Sequence, residues 1–301
     1  MTKSASSTAN LPKGIHRMWD LPAAELGLLW DSIVIDEASK QQLVSQAVVN
    51  FTVRPKVSRS VLPLHGVILL VGPPGTGKTS LARGLAHRVA KSFSSSKFRL
   101  LEVEPHTLTS SAMGKTQRAV SELFSQAIAE AAASGPTMVL LDEVETLAVD
   151  RSKLSMDANP IDIHRATDAV LVQLDMLAED HPNLLFIATS NFPQAIDSAF
   201  LSRSDLIFNV PLPGRSACRQ ILSLCIEGLA KSFPGAGRLL TASGFTACAD
   251  ACVGLDGRAI RKVVANALAM DPQVAMDPNK VSIEGLRLAI EQARTQRLPG
   301  G

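Results

Sequence analysis

Short, mostly apolar runs alternate along this chain with longer stretches whose apolar positions recur every three or four residues. Residues 66–71 (GVILLV) have the composition of a buried strand, and 100–103 (LLEV), 137–141 (TMVLL), 184–188 (LLFIA) and 206–210 (LIFNV) are four further strand candidates. Between them, residues 80–92, 116–133 and 162–178 read as helices. In the last of these, Ala166, Val170, Leu171, Leu174 and Leu177 fall on one face. Strands that alternate with helices predict an α/β fold around a parallel five-stranded sheet flanked by helices. The segment Pro211-Leu212-Pro213-Gly214 then breaks the pattern. Beyond it the strand signals stop, and residues 215–231, 255–270 and 283–297 read as helices. The expected organisation is a flexible Ser/Thr-rich tail over residues 1–28, a large α/β domain over 29–213, and a small all-α lid domain over 214–301. The polar stretch 149–160 is long for a loop inside a compact domain, which points to a functional role.

Composition narrows the function classes. With 46% apolar and 19% charged residues in 301, the chain can bury a core without staples. A formal net charge of +2, an aromatic content of 4% and the absence of Tyr disfavour a dedicated nucleic-acid wrapper or a base-stacking platform. Cys218, Cys225, Cys248 and Cys252 form no Cys-x-x-Cys pair and have no His at zinc spacing. They read as free thiols of a reducing compartment. No apolar run approaches the length of a membrane span, and the first residues, MTKSASSTANLPKG, lack the apolar core of a secretory signal. A soluble cytoplasmic protein is expected.

One motif carries specific chemistry. Gly72-Pro73-Pro74-Gly75-Thr76-Gly77-Lys78-Thr79 matches G-x-x-x-x-G-K-[ST], with an apolar strand before it and a helix opening at Ser80. Its glycines let successive backbone N–H groups cradle phosphate oxygens, and the helix adds its positive N-terminal end. Lys78 is a point charge for the β- and γ-phosphates, and the Thr79 hydroxyl is a Mg²⁺ ligand. Leu140-Leu141-Asp142-Glu143 then places two carboxylates at the C-terminal end of a buried strand, where open α/β sheets bind their ligands. Asp142 can hold Mg²⁺ through its waters, and Glu143 can orient or deprotonate an attacking water. Three further residues are open to two readings each. Asn191, after Thr189-Ser190, could bond a γ-phosphate or water, or serve ordinary turn chemistry. Arg203, in FLSRSD, is either a solvated residue or a finger reaching a neighbouring subunit's phosphate. Arg258, in LDGRAIRK, places a cation at a helix N-terminus, which is unfavourable unless an anion is near.

These parts arrive in the order and spacing of the AAA+ ATPases, which the chain resembles over roughly residues 29 to 298. The phosphate loop is similar to their Walker A and LLDE to their Walker B. Asn191 falls at sensor 1, Arg203 at the arginine finger and Arg258 at sensor 2. Within that superfamily GPPGTGKTSL, LLDEVETL, DAVLVQLD, ATSN, FLSRSD, GRAIRK and the entry segment LWDSIV resemble the pachytene-checkpoint ATPases, the remodellers of HORMA-domain proteins. The resemblance implies a ring, usually a homo-hexamer, with ATP and Mg²⁺ bound between the two domains of each subunit and its adenine against Ile33 and Val34. Pore loops would pull on a flexible segment of a HORMA-domain protein, opening it or dissociating it from its complex. Ala112-Met113-Gly114 falls at the first pore loop, with Met113 where the family carries an aromatic residue, and the stretch 149–160 falls at the second. Fewer than 30 residues precede the entry segment, too few for the folded N-terminal domain of eukaryotic members. That resembles the short bacterial type found with HORMA proteins and cyclic-oligonucleotide-making nucleotidyltransferases in anti-phage operons. The finger segment also carries one Arg where many AAA+ proteins carry two. Three alternatives stay open: an AAA+ protein acting on nucleic acid, such as a clamp or helicase loader; an unfoldase feeding a protease; and a non-hydrolysing scaffold.

Overall fold

The fold was read from a computed structural model that describes residues 11–94, 97–103, 115–149 and 160–296. In chain order the first part comprises β1 (Ile15–Leu21), α1 (Ala24–Ser32), α2 (Glu37–Thr52), β2 (Val67–Val71), α3 (Lys78–Lys91) and β3 (Phe98–Val103). One helical stretch follows, made of α4 (Lys115–Glu122), a π-helical segment (Leu123–Ile128) and α5 (Ala129–Ser134). Next come β4 (Thr137–Leu141), α6 (Pro160–Asp180), β5 (Leu184–Ser190), α7 (Ser198–Ser202) and β6 (Leu206–Asn209). All five strands anticipated from the apolar runs are present.

The sheet order is β1-β3-β4-β5-β2-β6, and every pairing except β1 with β3 is parallel. Every residue of β2, β4 and β5 is buried, which is why these strands read as unbroken apolar runs rather than as alternating ones. One face contributes Leu69, Val139 and Phe186 to a core shared with Phe124, Val170 and Leu174. The Phe124 and Phe186 rings stack at 5.7 Å. α3 covers the other side, contacting β2, β4 and β5. Because β4, β5 and β2 are neighbours, the chemistry-bearing residues at their C-terminal ends meet at one edge. Asp205, just before β6, accepts from the backbone N–H groups of His65, Gly66 and Val67 at 2.8, 2.7 and 3.1 Å, fixing the start of β2 beside β6.

The structure corrects the expected strand count and the expected tail. The sheet has six strands, and residues 15–28 are ordered into β1 and part of α1 rather than forming a flexible tail. β1 alternates instead of running apolar: Ile15, Trp19 and Leu21 are buried while His16 and Asp20 are exposed. It lies antiparallel at the edge, with Trp19 opposite Leu100. Its anchor is Glu102, only 3% exposed. Glu102 accepts from the Trp19 indole N–H at 2.6 Å and from the Arg83 Nε and Nη2 at 3.0 and 2.7 Å, joining β1, β3 and α3.

The described chain divides into two compact units, residues 11–72 with 78–209 and Pro73–Gly77 with 210–296. The second holds α8 (Arg215–Ala230), α9 (Phe245–Ala251), α10 (Gly257–Leu268), α11 (Pro272–Met276) and α12 (Ile283–Thr295). Among the described residues it contains no strand, and α10 packs on α8 and α12 through Ile260, Val263, Val264 and Ala267. All four cysteines lie here as free thiols, and burial pushes Cys252 up to about 12. Among the described residues no helix is long and apolar enough to cross a membrane.

Replacing Glu102 with Ala strands a buried indole N–H and a guanidinium. Glu102→Ala is expected to lower unfolding free energy by about 2–4 kcal/mol. Urea denaturation followed by tryptophan fluorescence measures it, and a change below about 0.5 kcal/mol would show that Glu102 does not anchor β1.

Candidate nucleotide-binding and hydrolysis site

The phosphate loop runs from the end of β2 into α3, which opens at Lys78 rather than at Ser80. Lys78 is 5% exposed, and its Nζ donates to the Gly72 carbonyl at 2.8 Å. Thr79 Oγ1 donates to Asp142 Oδ1 at 2.8 Å. The same carboxylate oxygen accepts from Thr189 Oγ1 at 2.5 Å, and that hydroxyl accepts in turn from the Glu143 backbone N–H at 3.1 Å. The ends of β4 and β5 and the first turn of α3 are thereby tied together at one oxygen.

Glu143 has φ +53° and is the non-glycine residue with positive φ among the described residues. A left-handed Glu costs on the order of 1 kcal/mol, and such strain concentrates at functional sites. Here it turns the chain off β4 and brings Glu143 Oε1 to 3.3 Å from Asn191 Nδ2, which donates to it. Asn191 is held by its own backbone N–H, which donates to Glu145 Oε1 at 3.1 Å. The acid, its amide partner and the phosphate-loop threonine therefore sit on one edge. A hydroxyl beside a carboxylate suits Mg²⁺, a hard cation that takes few protein oxygens and completes its shell with water and phosphate.

The middle of the loop belongs to the second unit. Thr76 Oγ1 donates to the Pro73 carbonyl at 2.9 Å, while Pro73 and Pro74 are exposed. Gly75 has φ +79° and Gly77 φ +92°, conformations that a side chain strains. The Gly75 carbonyl accepts from the Arg258 backbone N–H at 3.2 Å, so the first turn of α10 is bonded to the loop. Asp256 caps α10, accepting from the Ala259 N–H at 2.8 Å.

The remaining expected residues fall in several places. Arg203, at the end of α7, makes a two-pronged ion pair with Asp175 of α6, with Nε at 3.0 Å and Nη2 at 2.6 Å from its two oxygens, and also donates to the Ala199 carbonyl at 2.8 Å. This pairing holds the Asp175 carboxyl below the usual carboxylate range and raises Arg203. Ile33 and Val34 are half-buried between α1 and α2. Ala112, Met113 and Gly114 lie outside the described residues, as do residues 150–159 of the second expected pore loop. Sequence reasoning gave no role to Thr189, Glu145 or Asp175. Thr189 stood beside Asn191 in view, but nothing in a strand-end Thr reveals that its hydroxyl faces Asp142.

A phosphate loop opening a helix, with an acidic pair and an amide on adjoining parallel strands, defines a P-loop nucleoside triphosphatase. The model of the family described as "ATPase family associated with various cellular activities (AAA)" matches residues 68–212. The chain is 77% identical over 301 residues to CD-NTase-associated protein 6 of Pseudomonas aeruginosa, covering 100% of this chain and 99% of that one. It is 35% identical over 230 residues to the pachytene checkpoint protein 2 homolog of Rattus norvegicus, covering 74% of this chain and 52% of that one, so it spans about half that relative's length. Its fold matches a chain of the solved "Structure of E. coli MS115-1 HORMA:CdnC:Trip13 complex" with a TM-score of 0.70 at 20% identity, covering 92% of this chain and 95% of that one. The chain belongs to the pachytene-checkpoint branch of the AAA ATPases.

Thr189→Val removes both hydrogen bonds of that hydroxyl at little cost in volume. ATP turnover is expected to fall roughly 10- to 100-fold through misplacement of Asp142 and Glu143, with recovery in Thr189→Ser. Steady-state phosphate release measures this; turnover within twofold of the parent would show that the hydroxyl does not organise the site.

Proposed function

We propose that this chain is an ATP-hydrolysing ring remodeller that pulls on a flexible segment of a HORMA-domain protein, opening it or dissociating it from its complex, within a nucleotidyltransferase-based anti-phage system. The observation that carries the hydrolytic part is the Glu143–Asn191 contact beside the Thr79–Asp142–Thr189 junction. The choice of partner is supported by the identity to the Pseudomonas CD-NTase-associated protein and by the likeness in fold to a chain of the solved HORMA:CdnC:Trip13 complex.

In this reading ATP lies along the phosphate loop, with Gly72 to Gly77 donating backbone N–H groups to its phosphates. Lys78 leaves the Gly72 carbonyl for the β- and γ-phosphate oxygens. Ile33 and Val34 line the adenine. Thr79 and Asp142 would hold Mg²⁺, which when bound neutralises charge on the phosphate oxygens. Glu143 accepts a proton from the attacking water while Asn191 keeps its carboxylate aimed. Arg203 serves the neighbouring protomer of a homo-hexamer, presented by Asp175 as a rigid fork toward the charge that develops on the γ-phosphoryl group. Arg258 reads the γ-phosphate for the helical lid, residues 214 onward. Met113, with Ala112 and Gly114, grips the extended peptide.

Glu143→Gln keeps the shape and loses the base. It should bind ATP, hydrolyse it at least about 100-fold more slowly, and retain a HORMA-domain protein in an ATP-dependent pull-down. Parental turnover would remove Glu143 from the mechanism, and stimulation by DNA with no HORMA retention would overturn the choice of partner.

A further inference from the structure

The centre of the phosphate loop and the start of α10 form one packed junction. A Cβ built on Gly75 would lie 2.3 Å from Asp256 Oδ1, 2.4 Å from its Cγ and 2.9 Å from its Oδ2, so the whole carboxylate presses on the Gly75 backbone. Asp256 is 7% exposed, and two residues further on the Arg258 backbone N–H donates to the Gly75 carbonyl at 3.2 Å. A negative side chain is thus buried against the part of the chain whose task is to hold a polyphosphate. Capping does not require that charge, because Asn or Ser caps a helix about as well as Asp.

We infer that Asp256 is a positioning residue that weakens the phosphate loop's hold on nucleotide and passes the presence of phosphate to α10. The inference rests on the proposed role of residues 72–79 as the phosphate cradle. Phosphate charge near Gly75 repels the Asp256 carboxylate, and with little water between them that repulsion is poorly screened. It attracts Arg258. The two opposite charges stand at the first turn of one helix, so phosphate pushes one and draws in the other, turning the start of α10 against its bond to Gly75. Neutralising Asp256 leaves the attraction and removes the push.

The test uses the full chain with a fluorescent ADP and a non-hydrolysable ATP analogue, each with Mg²⁺. Asp256→Asn keeps the cap and removes the charge. Its Kd for both nucleotides, and its KM for ATP, should fall about tenfold while its melting temperature stays that of the parent. Asp256→Ser should tighten binding in the same direction if Asn perturbs the fold. A purely structural cap would leave Kd unmoved, so equal or weaker binding by both variants overturns the inference. Lys78→Ala separates the two failures. If Lys78→Ala loses binding and the Asp256 variants are unchanged, the cradle stands and the role of Asp256 falls. If Lys78→Ala binds as the parent does, the cradle itself falls and the inference with it.

Discussion

One carboxylate oxygen, Asp142 Oδ1, organises the edge of the sheet where the chemistry lies. It takes the Thr79 hydroxyl from the start of α3 and the Thr189 hydroxyl from the end of β5, and it sits itself at the end of β4. The Thr189 hydroxyl passes the constraint on to the Glu143 backbone, whose left-handed turn sends the carboxylate toward Asn191. The two contacts to the Asp142 oxygen are short, at 2.8 and 2.5 Å, and the longer 3.3 Å contact between Glu143 and Asn191 is linked to that oxygen through Thr189. The buried parallel strands beneath supply that fixity, since β2, β4 and β5 present no exposed residue and cannot shift without opening the core.

The same edge is built from pieces that answer to different parts of the chain. Residues 73–77 group with the helical unit, bonded to α10 through Gly75 and packed against Asp256, while Gly72 and Lys78 on either side group with the sheet. The phosphate loop is therefore shared between both compact units along its own length. Arg203 is held within its own unit by a two-pronged pair with Asp175 and a bond to the Ala199 carbonyl, and it is from this pose that the proposed mechanism has it reach a neighbouring protomer.

Much of this was legible in the sequence, for physical reasons that differ by element. β2, β4 and β5 read clearly because burial on both faces keeps them largely apolar, while β6 read from its aliphatic content although Ile207 and Asn209 are exposed. The phosphate loop and Asp142-Glu143 read clearly because phosphate chemistry demands those residue types at that spacing. β1 escaped because a half-exposed edge strand, IHRMWDL, carries three ionisable residues and its buried acceptor, Glu102, lies 83 residues away from Trp19. α1, α2, α7, α9 and α11 also went unplaced, being short or weakly patterned. Thr189 and Asp175 were beyond reach for the same reason as Glu102: their meaning lies in partners 47 and 28 residues distant in the chain, and no local pattern encodes such a pairing.

The central claim is that each nucleotide site is completed by a neighbouring protomer, and subunit mixing tests it most directly. Lys78→Ala and Arg203→Ala chains should each be nearly inactive alone, one lacking the phosphate lysine and the other the finger. Mixed in equal amounts, they place an intact phosphate loop beside an intact finger at a share of the interfaces. The account predicts phosphate release from the mixture several-fold above either parent. Release no greater than the mean of the two parents would contradict it.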